Sequence, residues 1–225
     1  MGDYETLELI LEGPVAWLIF DRAGDGNAID ARMFVELEDA WGRLEIDEDV
    51  RVIVNTGNGR SFQTGLDVRQ LASNPEALRA SSRQTRDFQL RMTGWHCGVT
   101  KPIIAAVNGT CAGGGLHFVA DADVVIAADT ATFVDPHVSV GQVSAFETIG
   151  LLKKAPMGVV ARMALMGRHE RVDADRARQL GIVSEVVPAD RLRARAGELA
   201  ATIAQQDPGT LRALKQSLWN ALEVQ

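Results

Sequence analysis

Asn108-Gly109-Thr110-Cys111-Ala112-Gly113-Gly114-Gly115-Leu116-His117 is the stretch whose reading decides the fold. It links the apolar run Pro102-Ile-Ile-Ala-Ala-Val107 to a second one, Phe118 to Ile126, through three consecutive glycines. Glycine reaches backbone conformations closed to other residues and lets another group approach the main chain. A helix that begins just after such a turn leaves N–H groups without intrahelical acceptors. A strand, a glycine turn and a helix start together offer a backbone donor held between two buried flanks. The spacing is neither GxGxxG nor GxxxxGK[ST], so phosphate-loop readings fail, and an oxyanion suits the donor better than a nucleotide. A tight turn needed only for packing is the competing reading.

Outward from this run, the chain alternates strand and helix signals. Residues 6–11 and 14–20 are apolar or alternating runs divided by Glu12-Gly13-Pro14, a hairpin pattern. Asp30 is placed to cap a helix from Ala31 to about Glu45, on which Phe34, Leu37, Trp41 and Leu44 recur at helical spacing and the other face is acidic. A strand follows over 51–56. Ser61 to Leu71 passes from a loop into a helical turn, bending at Gly65 and offering a second backbone donor. The pattern then predicts a helix from Ser73 through Trp95, with a polar, arginine-laden face suited to solvent or to a lid. Beyond the glycine run come a strand over 123–128, two helices split by Pro156-Met-Gly158, a short helix capped by Asp173, a strand over 182–187, and helices opened by Pro188-Ala-Asp190 and by Pro208. The pattern is α/β.

The 225 residues suffice for one sizeable core with a helical appendage. A net charge of −7 and the lack of a basic stretch with interleaved aromatics argue against nucleic acid. Cys97 and Cys111 have neither CxxC spacing nor a histidine set around them, and read as reduced thiols. No metal is expected. No apolar run approaches membrane length and the first residues lack a leader pattern, so a cytoplasmic protein without membrane partners is expected.

Together these segments resemble the crotonase, or enoyl-CoA hydratase/isomerase, superfamily over essentially the whole chain. The likeness rests on the order and spacing of Asn27-Ala-Ile-Asp30, Phe62-Gln-Thr-Gly-Leu-Asp-Val68, Lys101 to Gly109, Ala112-Gly-Gly-Gly115, Ala120-Asp-Ala-Asp123 and Leu180 to Val187. It implies a crotonase-like spiral of ββα units over 1–187, with the acyl-CoA site, and a C-terminal helical trimerisation region over 188–225. Family members commonly continue past the point matching Gln225, and a native end and a truncation are both open. The resemblance also implies a homotrimer or dimer of trimers, an acyl-CoA substrate with coenzyme A as part of it, and no separate cofactor. The thioester carbonyl would lie in an oxyanion hole made by the N–H groups of Leu66, just after Gly65, and Gly114. Arg69 falls where the family often carries a basic residue facing the CoA phosphates.

The chain departs from the family pattern at two points. Where the hydratases carry one glutamate after the glycine run and a second after a proline twenty residues on, this chain has His117 and His137. Imidazole can serve as acid or base near neutral pH. Glu147 is the nearest carboxylate expected to partner them, with the side chain of Asp135 expected to face elsewhere. Three readings follow: a hydratase or isomerase with His137, His117 and Glu147 as its proton-transfer groups; a C–C bond or thioester hydrolase of the same superfamily; and a CoA-ester binding protein without catalysis. The bland alternatives are a capping or core role for His117 and a dipole-complementing role for Glu147. His96 and His169 read as surface or structural, and Asp67 as a local cap.

Overall fold

The computed structural model describes residues 4–73, 91–144 and 146–223. The first two apolar runs form the hairpin β1 (Leu7–Glu12) and β2 (Val15–Phe20). Every residue of β2 is buried. Ala16, Leu18 and Phe20 point into one hydrophobic cluster, while Val15, Trp17 and Ile19 point into a second on the opposite face. A strand covered on both faces requires a continuous apolar run rather than an alternating one.

From β2 the chain winds as a spiral in which each turn gives one strand to a large sheet and the next to a small one. β3 (Val52–Gly57), β5 (Ile103–Val107) and β7 (Val124–Ala128) extend the large sheet in parallel from β2. β4 (Ser61–Gln63), β6 (Thr110–Ala112) and β8 (Thr132–Val134) stack in parallel as the small sheet. β9 (Val172–Asp173) closes the small sheet antiparallel to β8, and β10 (Glu185–Val187) closes the large one parallel to β7. The turns that follow the small-sheet strands β4 and β6 carry the glycines of the candidate site, Gly65 and Gly113 to Gly115.

Helix α1 (Ala31–Ile46) starts where Asp30 accepts a hydrogen bond from the Met33 N–H at 2.8 Å, a cap worth about 1 kcal/mol. Its buried stripe of Met33, Phe34, Leu37, Ala40, Trp41 and Leu44 packs on one face of the large sheet. Its other face is not uniformly a solvated acidic one. Glu36 is buried and accepts from the N–H groups of Glu5 and Thr6 and from the Thr6 hydroxyl, stitching the N-terminal strand to α1. Burial works to raise its pKa, but those donors hold the carboxyl below the ordinary value.

The other α-helices among the described residues are α2 (Val68–Ser73), α3 (Gly115–Ala120), α4 (Phe146–Leu151), α5 (Met157–Met166), α6 (Ala174–Gln179), α7 (Leu192–Ala204) and α8 (Pro208–Glu223). The 187/188 division falls between β10 and α7. Helix α7 covers the second face of the large sheet, and its Leu192, Ala196, Ala200 and Ala204, at i, i+4 spacing, let it lie close.

Two expectations shift. Most of the helix expected from Ser73 to Trp95 lies outside the described residues, and its last part, 91–95, runs as bends and turns. The His96 N–H, which a continuing helix would give to the Met92 carbonyl, bonds the Thr93 hydroxyl at 3.2 Å, and that carbonyl accepts from the Trp41 indole at 3.0 Å instead. The strand expected over 182–187 is limited to Glu185–Val187, because both the N–H and the hydroxyl of Ser184 bond the Val125 carbonyl and hold the preceding residues as a loop.

Asn27 shows how the first loop is fixed. It sits at φ +58 and is fully buried. Its side-chain amide donates to the carbonyls of Asn58, Ser61 and Phe62, and its Oδ1 accepts from the Arg22 N–H. Asn27→Ala leaves buried carbonyls without donors and puts a Cβ residue that cannot bond locally in the left-handed region. It is expected to cost about 3 kcal/mol, read as a lower urea midpoint with unchanged slope.

Candidate active site

The glycine turn and the Gly65 loop meet. At φ +89, Gly65 turns its bare Cα toward the other segment, where a Cβ would lie 2.9 Å from the Gly114 nitrogen and 3.2 Å from the Ala112 carbonyl oxygen. Only glycine permits that approach. The loop is held from behind: Gln63 Oε1 accepts from the Gly65 N–H at 2.6 Å, and Gln63 Nε2 donates to the Asn27 carbonyl at 3.0 Å. The Ile29 N–H donates to the Gly65 carbonyl and the Asp67 N–H to the Ile29 carbonyl, both at 2.8 Å. Pinned on both sides, Leu66 keeps an N–H that has no acceptor among the described residues, and so does Gly114. The ideal Cβ position at Gly114 is 3.8 Å from the Leu66 nitrogen, so the two free donors are neighbours.

His137 stands beside them. Its ring lies over Gly113, with Cε1 3.5 Å and Nε2 3.9 Å from where a Gly113 Cβ would be. Asp135-Pro136-His137 folds back on itself after β8, and Asp135 Oδ1 accepts from both the His137 N–H at 3.2 Å and ring Nδ1 at 2.6 Å. A carboxylate can only accept, so Nδ1 carries a proton, and in the neutral ring Nε2 is left with its lone pair. The expectation that Asp135 faces away is therefore corrected. The proline keeps the turn tight, and the aspartate spans two residues as Asx turns do. Asp135 Oδ2 accepts from the Thr148 hydroxyl at 3.2 Å.

Glu147 stands near the start of α4. Its Oε1 lies 3.4 Å from His117 Nε2 and 3.6 Å from His137 Nε2, between the two rings and not behind either. The three residues expected as proton-transfer groups are thus brought together, and Asp135 is the partner that was missed. The D-x-H spacing after a strand, with proline between, was the available signal.

The electrostatics agree with the geometry. The Asp135 hydrogen bond raises the His137 pKa, burial opposes it, and the Glu147 charge adds to the rise. Burial works to raise Glu147, but the hydrogen bond and charge of His117, together with His137, hold it below the ordinary carboxylate range. Asp135 is likewise kept low by its donors against the effect of burial.

Arg69 is not part of this cluster. Its side chain is 82% exposed, on the first turn of α2, and pairs with Asp25 at 3.0 Å. Asp67 caps that turn, accepting from the N–H groups of Arg69 and Gln70. His96 is half-buried rather than on the surface, with its ring edge-to-face against His117 at 5.5 Å between centroids.

Residues 11–225 match the family model for enoyl-CoA hydratase/isomerase. The chain belongs to that family. It is an enzyme chain of the crotonase superfamily, and the family acts on acyl-CoA thioesters. It is similar to the (E)-benzylidenesuccinyl-CoA hydratase of Thauera aromatica, 34% identical over 214 residues, with 94% of this chain and 80% of the relative covered. It is also similar to the carnitinyl-CoA dehydratase of Proteus mirabilis, 35% identical over 222 residues, covering 94% and 79% respectively. Among solved structures, an enoyl-CoA hydratase/isomerase from Mycobacterium paratuberculosis superposes with a TM-score of 0.88 at 34% identity, covering 99% of this chain and 85% of that one. No helix among the described residues is long and apolar enough to cross a membrane.

Proposed function

We propose that the chain adds water to, or removes it from, the acyl part of an enoyl-CoA thioester, with histidines in place of the usual glutamates. The observation that carries this reading is the juxtaposition, around Gly113 and Gly114, of two unpaired backbone N–H groups and an oriented imidazole. The Leu66 and Gly114 donors receive the thioester oxygen and hold the charge that develops on it as an enolate, where one such donor contributes about 3 kcal/mol. His137 Nε2, its lone pair fixed by Asp135, takes a proton from water while the oxygen adds to Cβ. The His117–Glu147 pair delivers a proton to Cα. One water is consumed, and the thioester is retained. The reverse sequence is dehydration.

The acyl-CoA enters with its phosphates toward Arg69, which holds its charge in solvent, and no cofactor is needed for the sequence of steps. The enzyme is read as a homotrimer or dimer of trimers in the cytoplasm. The Asp135–His137 pair also favours a second reading, since an oriented imidazole can direct water at a carbonyl carbon and cleave a C–C or thioester bond. The products separate the two. Hydration yields a 3-hydroxyacyl-CoA with no free thiol, whereas thioester hydrolysis releases a CoA thiol and C–C cleavage gives two fragments.

The experiment is turnover of 2-enoyl-CoA thioesters across pH, for the wild-type protein and for Asp135→Asn. A base must be unprotonated, so kcat/KM rises with pH through the His137 pKa. Losing the Asp135 carboxylate removes the largest influence raising that pKa, so the acid limb in D135N moves to lower pH. The plateau falls by about 10²-fold or more, because the ring loses its tautomer restraint. An acid limb unmoved in D135N removes His137 as the base, and failure of every enoyl-CoA to turn over sinks the proposed reaction.

A further inference from the structure

Around His117, on the side away from Glu147, lie two side chains that the proposed reaction does not use, His96 and Asp121. His117 and Asp121 stand four residues apart on α3 and its C-cap, with the Asp121 N–H bonded to the His117 carbonyl at 2.9 Å, so both share a helix face. His96 comes to that face from the turn after Met92. Its Nε2 is 3.6 Å from Asp121 Oδ2, and one ligand atom from each of His96, His117 and Asp121 lies within 4.8 Å of the others.

His96 is the anomaly. Its Nδ1 is sealed from solvent without a hydrogen-bond partner, and its Nε2 has nothing nearer than the Asp121 oxygen at 3.6 Å among the described residues. A half-buried imidazole satisfied at neither nitrogen is costly, and an ion ligated by one of the two nitrogens would relieve that part of the cost. We propose that His96, His117 and Asp121 form a site for a borderline divalent transition-metal ion of the Zn²⁺ class.

The donor set fits. Two imidazoles and one carboxylate are the three-ligand complement of an open zinc site, with water in the fourth place. Tetrahedral zinc with bonds of about 2.0–2.1 Å holds its ligand atoms about 3.3 Å apart. The His96–Asp121 pair is already near that separation at 3.6 Å. The widest pair must close by about 1.5 Å to reach it. Lys153 Nζ approaches Asp121 Oδ1 at 4.0 Å but is shared with the faces of Trp95 and Trp219. That leaves Oδ2, which also accepts from the Thr93 hydroxyl, as the oxygen facing His96.

Because His117 Nε2 also faces Glu147 at 3.4 Å, an ion on the ring's other nitrogen would leave Nε2 as the nitrogen that carries a proton toward Glu147, so metal binding and proton transfer are linked at one residue. The binding test does not depend on the proposed reaction. Protein stripped with EDTA is titrated with Zn²⁺ by calorimetry, and with Co²⁺ by visible absorption. One equivalent is expected to bind, with an intense four-coordinate Co²⁺ spectrum. His96→Gln and Asp121→Asn should each weaken Zn²⁺ by about tenfold or more while circular dichroism stays native. Should either variant unfold, ¹⁵N spectra of wild-type imidazoles answer instead: Zn²⁺ should move the ring nitrogens of two histidines and leave His169 in place. Absence of stoichiometric Zn²⁺ binding to the wild type overturns the site, as does full-affinity binding in folded H96Q and D121N, or ¹⁵N shifts at any other pair. Loss of turnover without Zn²⁺ binding, or binding without turnover, tells the failure of one proposal from that of the other.

Discussion

His137→Ala should lower kcat on a 2-enoyl-CoA thioester by about 10²–10⁴-fold while leaving the Kd of a CoA ester within about twofold of the wild type. The reasoning is local. The ring is held by Asp135 at 2.6 Å on one nitrogen and presents the other toward Glu147 at 3.6 Å, above Gly113. Alanine removes the proton acceptor but touches neither Leu66 nor Gly114, whose main-chain donors hold the thioester oxygen in the proposed reaction. Binding and chemistry should therefore separate cleanly in the kinetics. Stopped-flow turnover combined with calorimetric titration of a non-reactive acyl-CoA measures both. A variant with unchanged kcat would assign the proton to another group, and an equal loss in binding would mean that the ring supports the pocket rather than the reaction.

The second large effect is expected at Gly65. Gly65→Ala places a methyl group 2.9 Å from the Gly114 nitrogen, in a backbone region at φ +89 that alanine adopts only with strain. The added carbon lies against backbone, which has little freedom to yield, so the two loops must part. We expect kcat to drop by about 10²–10³-fold, the scale of losing one preorganised donor. Stability should fall by about 1–3 kcal/mol from the strained φ. Thermal unfolding and turnover under matched conditions separate these. A variant that folds as well as the wild type and turns over at the same rate would show that the approach of the two loops is a packing feature only. Gly115→Ala is not a substitute for this test, since its Cβ would meet the Gln63 carbonyl at 2.2 Å and the fold itself would be at stake.

The sequence carried the fold well because its signals are local and redundant. The run Val15–Phe20 is apolar throughout since both its faces are covered. Asp30 and Asp173 cap the helices they were expected to cap, each accepting from the N–H three residues on. What was missed depends on contacts between distant segments. Trp41 reaches across to the Met92 carbonyl and takes the end of an expected helix with it. Glu36 reads as one residue of the acidic face of α1, and its role in anchoring the N-terminal strand went unread because its partners are main-chain N–H groups that carry no residue-specific signal.

The site divides in the same way. The spacing of glycines around Gly65 and Gly114 is visible in one dimension, and so is the placement of His117, His137 and Glu147. The role of Asp135 is a matter of which way a side chain turns after Pro136, and the position of Glu147 between two rings is set by how α4 packs on α3. Neither is written in spacing. His96 is the clearest case: its relation to His117 and Asp121 arises only once the turn after Met92 has been laid against α3.

Asp123 leads to a last point about timing. Its carboxylate accepts from the Ile103 N–H at 2.7 Å and from the Trp219 indole at 2.7 Å, and pairs with Lys215 at 2.9 Å. Lys215 in turn donates to the Lys101 carbonyl. Helix α8 thus docks onto a mount that does not exist until β5 and β7 are in register and the end of α3 has been set. Helix α8 therefore has nowhere to rest until that part of the spiral is wound. Helix α8 acts as a latch across the wound strands, holding Asp123 two residues beyond the turn that carries Asp121.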